Sequence, residues 1–289
     1  MNKNTNRIRS ALVGVDLSQH AAQTLHCAAL LSKVAGLEVK LHHVREFVGY
    51  GNEASISEEE REARDREEVL AWVRREGFDT KWDLTCSSGD AAADLTTQAK
   101  EHDLLILGVR GESHSRGGLG TVAGSCVRTF AGRVLLVNQS KRPFPLKKVV
   151  ACLDFSDATR QVIDEAVSIA AMCGAEVEFV HVFRAPWLQL HYRAPAEASS
   201  PHLKQAYLAT LRNRMEEALE TAGHESDKII LHAASSNGLG IVDCAKKVQA
   251  DLVVLGTHGR KSLKELFLGS TAERVLAEIR CSVMTVRTG

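Results

Sequence analysis

Three glycines close together near the carboxy-terminus are the residues most able to do chemistry here. The stretch "VVLGTHGRKSLKELFLGST" spans residues 253–271 and carries Gly256, Gly259 and Gly269, the last followed by Ser270 and Thr271. The spacing is G-x2-G-x9-G-S. Glycine lets the main chain approach a ligand closely and allows positive φ. A Gly-Ser-Thr start places N–H groups and hydroxyls at a helix N-terminus, which holds an anion without a side-chain charge. Two main-chain surfaces, at 256–259 and 269–271, could therefore converge on a chain of phosphates. Arg260, Lys261 and Lys264 lie between them, and His258 could touch a phosphate or a sugar. Taken one at a time, the same glycines read equally well as tight turns and a helix cap.

What moves the reading toward a ligand is repetition. Residues 11–44 and 149–182 run through the same order of events. An apolar run ends in Asp16 or Asp154, and Ser18 or Ser156 follows two residues on. An amphipathic stretch leads to Gly36 or Gly174, and a second apolar run ends in His43-Val44 or His181-Val182. "DLLILG" at 103–108 pairs with "DLVVLG" at 251–256. Gly108 and Gly111 match the first two glycines of the second half, and Gly120-Thr121 stands for Gly269-Ser270. The first-half spacing is then G-x2-G-x8-G-T, one residue short, and only Arg116 supplies a cation. Gly124-Ser125 would misalign everything downstream. Repeats of this length are duplicated domains, and the Pro-Phe-Pro of "QSKRPFPLKK" marks the junction. The expected domains are residues 1–143 and 147–289.

The elements that must position these residues alternate strand and helix. In the second half, strands are expected at 147–153, 175–182, 227–233, 250–255 and 282–287. The strands are continuous apolar runs, which indicates burial on both faces. Residues 203–223 have helical apolar spacing, with Gly223 as a C-cap. The acidic start and basic end of "EEEREARDREEVLAWVRREG" suit a helix dipole and a solvated face. Strand–helix alternation predicts an α/β fold of two doubly wound domains, each a parallel sheet with ligands at the strand C-termini.

Gly256, Gly259, Gly269 and Ser270, with "LDFS" at 153–156 and "VHV" at 180–182, resemble the nucleotide signature of the universal stress protein family. The chain resembles a tandem of two such domains, except over residues 46–78 and 184–202. The resemblance implies a five-stranded parallel sheet with helices on both faces in each half, of the adenine nucleotide α-hydrolase-like kind. It implies an adenine nucleotide, ATP first, with or without Mg, AMP and ADP being the alternatives. Carried over, Asp154 sits by the nucleoside, Val182 meets adenine through its backbone, and Leu255 and Gly256 border the ribose. Gly259, Gly269, Ser270 and Thr271 hold phosphates, with His258 and Arg260 alongside. Asp16, Val44, Leu107, Gly108, Gly111, Gly120 and Thr121 form a second site with an altered motif, so the second half is expected to be the better one. The family also implies pairing through the last strand, within one chain or as a homodimer, and a stress-response or regulatory role.

Other chemistries find less support. Lys+Arg and Asp+Glu both number 36, so no net field favours nucleic acid or an anionic membrane. Aromatics make up 5% of residues, too few for base-stacking platforms. Seven cysteines without a CxxC pair read as core thiols of a reducing, cytoplasmic compartment. No metal motif appears among the 12 histidines, and no nucleophile pairs with Asp16 or Asp154, so no catalytic residue is assigned. GxGxxG and P-loop patterns are missing, as are SGGxDS-like, HIGH-like and KMSKS-like stretches. A slow ATPase or AMP-forming transferase using the same site is the rival reading.

Overall fold

The computed structural model describes residues 8–18, 21–46, 57–78, 81–110, 119–138, 146–185, 187, 201–257 and 268–287. The chain divides into two compact units, Met1–Pro145 and Leu146–Gly289. In the first, β1 (Ser10–Gly14), α1 (Ala21–Ala35), β2 (Glu38–Arg45), α2 (Glu58–Arg75) and β3 (Asp83–Ser88) are followed by α3 (Ala91–Gln98), β4 (Leu104–Gly108), α4 (Thr121–Thr129) and β5 (Arg133–Val137). The second unit repeats this as β6 (Lys148–Cys152), α5 (Thr159–Cys173), β7 (Glu176–Phe183), α6 (Pro201–Ala222) and β8 (Ile229–Ala233). Its remaining elements are α7 (Asn237–Lys247), β9 (Leu252–Gly256), α8 (Ser270–Glu278) and β10 (Ser282–Val286).

Within unit 1 the strand order is β3-β2-β1-β4-β5, and within unit 2 it is β8-β7-β6-β9-β10. All these pairings are parallel. Strand order reverses where β1 meets β4 and where β6 meets β9. A doubly wound sheet opens a crevice at that reversal, beyond the strand C-termini. The strands flanking it are solid core. Ala11, Leu12, Leu104, Leu105 and Ile106 are fully buried in unit 1, as are Val149, Val150, Leu252, Val253 and Val254 in unit 2. A fully buried aliphatic side chain stabilises by roughly 1.5–3 kcal/mol, so the strand ends are fixed by the best-packed part of each unit.

The helix ends follow from local chemistry. Ser57 accepts from the Glu60 N–H while the Glu60 carboxylate accepts from the Ser57 N–H, a capping box worth about 1 kcal/mol. α6 stops where Gly223 takes φ +80°. The Gly223 and His224 N–H groups then donate to Glu220 O and Leu219 O, closing the last turn. At the opposite edge of each sheet one aspartate ties two strands. Asp103 Oδ2 accepts from the main chain of Arg9 and Ser10 at 2.8 and 3.1 Å. Asp251 Oδ2 accepts from Lys147 and Lys148 at 2.8 and 3.0 Å.

Candidate functional site: the crevice where strand order reverses

At the end of β6 the chain makes a turn whose geometry is not obvious from its residue types. Asp154 is exposed. Phe155 adopts φ +58°, a left-handed conformation that bulky residues rarely take. That bend returns Ser156 toward Asp154, so its N–H and hydroxyl both donate to Oδ1, at 3.0 and 2.6 Å. Oδ2 receives no protein hydrogen bond among the described residues. The first unit repeats the device. Leu17 has φ +59°, and Ser18 donates to Asp16 Oδ1 at 3.1 and 2.6 Å. Each carboxylate is thus aimed by one oxygen and presents the other.

The histidines before each second strand end hold the same turn from behind. His43 Nδ1 donates to Val15 O at 2.7 Å, and His181 Nδ1 donates to Leu153 O at 2.7 Å. Val15 and Leu153 donate in turn to His42 O and Val180 O. His42 and His43 sit on opposite sides of β2. His42, 2% exposed, contacts Thr85 Oγ1 at 2.8 Å and Asp94 Oδ2 at 3.0 Å. The Ser87 hydroxyl also donates to Asp94. Burial pushes the Asp94 carboxyl up, but hydrogen bonds from Ser87 and His42 outweigh it and hold the group below its ordinary value.

Across the strand reversal lies the glycine surface. Cys152 is the register partner of Leu255, so the Asp154 turn and Gly256 leave the sheet side by side. The Thr257 N–H donates to Val286 O at 3.0 Å, and the Gly269 N–H donates back to Thr257 O at 2.8 Å. That second bond closes the two ends of the loop on each other. Gly269 is the N-cap of α8, with φ −65° and ψ 142°, and no side chain among the described residues caps the helix. The first-turn N–H groups of such an end lack intrahelical partners and favour an anion. In unit 1 the Gly120 N–H donates to Val109 O at 2.8 Å, and Gly120 caps α4 with φ −62° and ψ 153°. Gly120-Thr121 therefore stands where Gly269-Ser270 stands, and Gly124 lies inside α4. The one-residue deficit falls between Val109 and Gly120.

Among the sequence-derived residues, Asp154, Gly256, Gly269, Ser270 and Thr271 come to this edge, as do Asp16, Gly108, Gly120 and Thr121. Val182 and Val44 are the penultimate residues of the neighbouring strands β7 and β2, and Val182 is buried. Leu255 and Leu107 point into the core, 3% and 4% exposed, so only their main chain borders the crevice. His258, Gly259, Arg260 and Gly111 lie outside the described residues. Sequence reasoning missed the left-handed Leu17 and Phe155, for which no residue-type signal exists. It also missed Gly238 and Gly240 of α7, which lie against α8 and Val182; a G-x-G at a helix start was the available cue.

The residues present suit an anionic, hydroxyl-bearing ligand. A carboxylate is exposed on one wall, and on the other a glycine N-cap bonds no side chain to the helix among the described residues. Burial first, then neighbouring charge, raises the Cys152 thiol above the usual range, and burial pushes Cys281 up to about 12. Among the described residues no group of three or more His, Cys, Asp or Glu could hold a metal ion, and no helix is long and apolar enough to cross a membrane.

A duplicated doubly wound unit with glycines and an exposed carboxylate at its strand reversal defines a class of doubly wound α/β domains. The sequence model of the Universal stress protein family matches residues 7–138 and again 145–287, and the chain belongs to that family. Universal stress protein MJ0531 of Methanocaldococcus jannaschii is 32% identical over 142 residues, covering 49% of this chain and 82% of its own. Universal stress protein A homolog 1 of Coxiella burnetii is 29% identical over 149 residues, covering 48% and 95%. A universal stress protein structure from Archaeoglobus fulgidus superposes with TM-score 0.70 at 20% identity, over 97% of this chain and 98% of that one.

Proposed function

We propose that this protein is a cytoplasmic stress-response or regulatory protein that binds an adenine nucleotide, with ATP, with or without Mg, favoured over AMP or ADP. The C-terminal unit holds the better site. Asp154 would take the nucleoside hydroxyls through Oδ2, and the Val182 main chain would meet the base. Leu255 and Gly256 would border the ribose. Gly259, Gly269, Ser270 and Thr271 would hold phosphates through main-chain N–H groups, with His258 and Arg260 beside them. Asp16, Val44, Leu107, Gly108, Gly111, Gly120 and Thr121 make a weaker second site.

The observation that carries this reading is the pairing of β6 with β9, which sets the Asp154 turn beside the Gly256–Gly269 surface. The role is binding-linked: ATP orders the segment between the two phosphate surfaces, and a partner or the paired domain senses that order. Pairing of the two domains within one chain, or of two chains, belongs to the same proposal.

Mass spectrometry of ligand released from denatured protein, followed by titration with ATP, AMP and ADP, tests it. The expected result is adenine nucleotide in the released fraction and one tighter site per chain. Purified protein that neither carries nor takes up an adenine nucleotide refutes it. Steady-state ATP turnover above about 1 per second, the low end for typical enzymes, would replace the binding role by the rival ATPase.

A further inference from the structure

The first turn of α7 touches both walls of the proposed site, and it does so through two glycines. A Cβ built on Gly240 would stand 2.5 Å from Val182 Cγ1 and 2.7 Å from Ala234 Cβ. A Cβ on Gly238 would stand 2.6 Å from Arg274 Cβ and 3.2 Å from Thr271 O. Real Cβ atoms do not approach that closely, so α7 reaches β7 and α8 only because both positions lack one. Val182 lies one residue before the end of β7 and is the residue proposed to meet the base. Thr271 belongs to the helix start proposed to meet the phosphates. α7 is therefore a spacer whose one turn fixes the distance between these two contacts.

The first unit shows that the arrangement is particular to the second. Counted from the helix N-caps Asp90 and Ser236, Asp94 stands where Gly240 does. Asp94 fills the gap between helix and strands with a carboxylate bound to His42 and Ser87. In the second unit the corresponding gap is closed by direct approach of the helix main chain.

We propose that Gly238 and Gly240 are positioning residues of the C-terminal nucleotide site, Gly240 for the base and Gly238 for the phosphates. The proposal rests on the nucleotide-binding reading above. It predicts a division of labour that a general loss of packing does not. A methyl added at either closed contact shifts one wall of the site and is expected to weaken the ligand contact on that wall about tenfold, which is about 1.4 kcal/mol.

The test is calorimetric titration of the full chain and its variants with adenosine, AMP and ATP. Gly240→Ala is expected to weaken all three by about the same tenfold factor. Gly238→Ala is expected to leave adenosine unchanged and to remove most of the gain that ATP shows over adenosine. A space-exchanging variant guards against simple unfolding. Gly238→Ala with Arg274→Gly removes the atom that the new methyl meets, and it is expected to recover the ATP gain measured for Arg274→Gly alone. The proposal is overturned if both alanine variants bind all three ligands as wild type does. It is also overturned if Gly238→Ala weakens adenosine and ATP equally, or if the double variant fails to recover. Wild-type protein that binds none of the three overturns the nucleotide reading itself.

Discussion

Replacing Asp154 by Asn isolates the contribution of one oxygen atom. Asn keeps the size of the side chain and can still offer Oδ1 to the Ser156 N–H and hydroxyl, now held at 3.0 and 2.6 Å. With that oxygen engaged, the opposite position becomes an amide N–H2 in place of Oδ2. An exposed acceptor thus becomes a donor, and its charge disappears. A hydrogen bond to a charged group contributes roughly 1.5–3 kcal/mol, so loss of the contact to a ribose hydroxyl weakens ATP binding by about 10- to 100-fold. Asn keeps the Oδ1 acceptor that Ser156 uses, so thermal stability without ligand falls only by the difference between charged and neutral hydrogen bonds, about 1 kcal/mol. Titration of wild type and Asp154→Asn with ATP, together with melts of the free proteins, reads both quantities. Binding within twofold of wild type would show that this carboxylate is not part of the site. Asp16→Asn is the matched control, since it carries the same turn into the other unit.

Three further outcomes follow from the structure. The Asp94 carboxyl is held below its ordinary value, so the ionised form stabilises the fold above the unfolded value near 4 and that contribution is lost as pH falls through the folded value. The stability gap between wild type and Asp94→Ala should therefore be widest near neutral pH and shrink in acid; a gap that stays constant from pH 7 to pH 3 refutes the network's role. Asp251→Ala leaves the Lys147 and Lys148 N–H groups without their acceptor and should cost about 1–3 kcal/mol in urea unfolding, with an unchanged midpoint counting against the clamp. The thiols of Cys86 and Cys244 are pushed up to about 11, and Cys126 up to about 12, by burial first of all. Native protein at neutral pH should accordingly resist alkylation at those three positions, and fast labelling of any of them, read by peptide mass mapping, would contradict the packing.

Much of this architecture was legible in the residue order, for local reasons. Continuous apolar runs such as "DLVVLG" name strands buried on both faces, and the duplicated order of events reveals two units. Gly120-Thr121 could be chosen over Gly124-Ser125 because alignment of the flanking strands fixes the register, and the helix caps fall at Gly120 and Gly269. What lay beyond the sequence depends on contacts between distant segments. Leu17 and Phe155 carry no mark of a left-handed backbone. Their turns hold because Ser18 and Ser156 return to a carboxylate while His43 and His181 reach the main chain 28 residues back. Nor does residue order tell Asp94 from Gly240 as the filler of a helix–strand gap, since that follows from how closely α3 and α7 settle on their sheets. Composition and period decide which segments form strands and helices. The packing distance between them decides how each Asp turn is held and how far apart the two walls of the crevice stand.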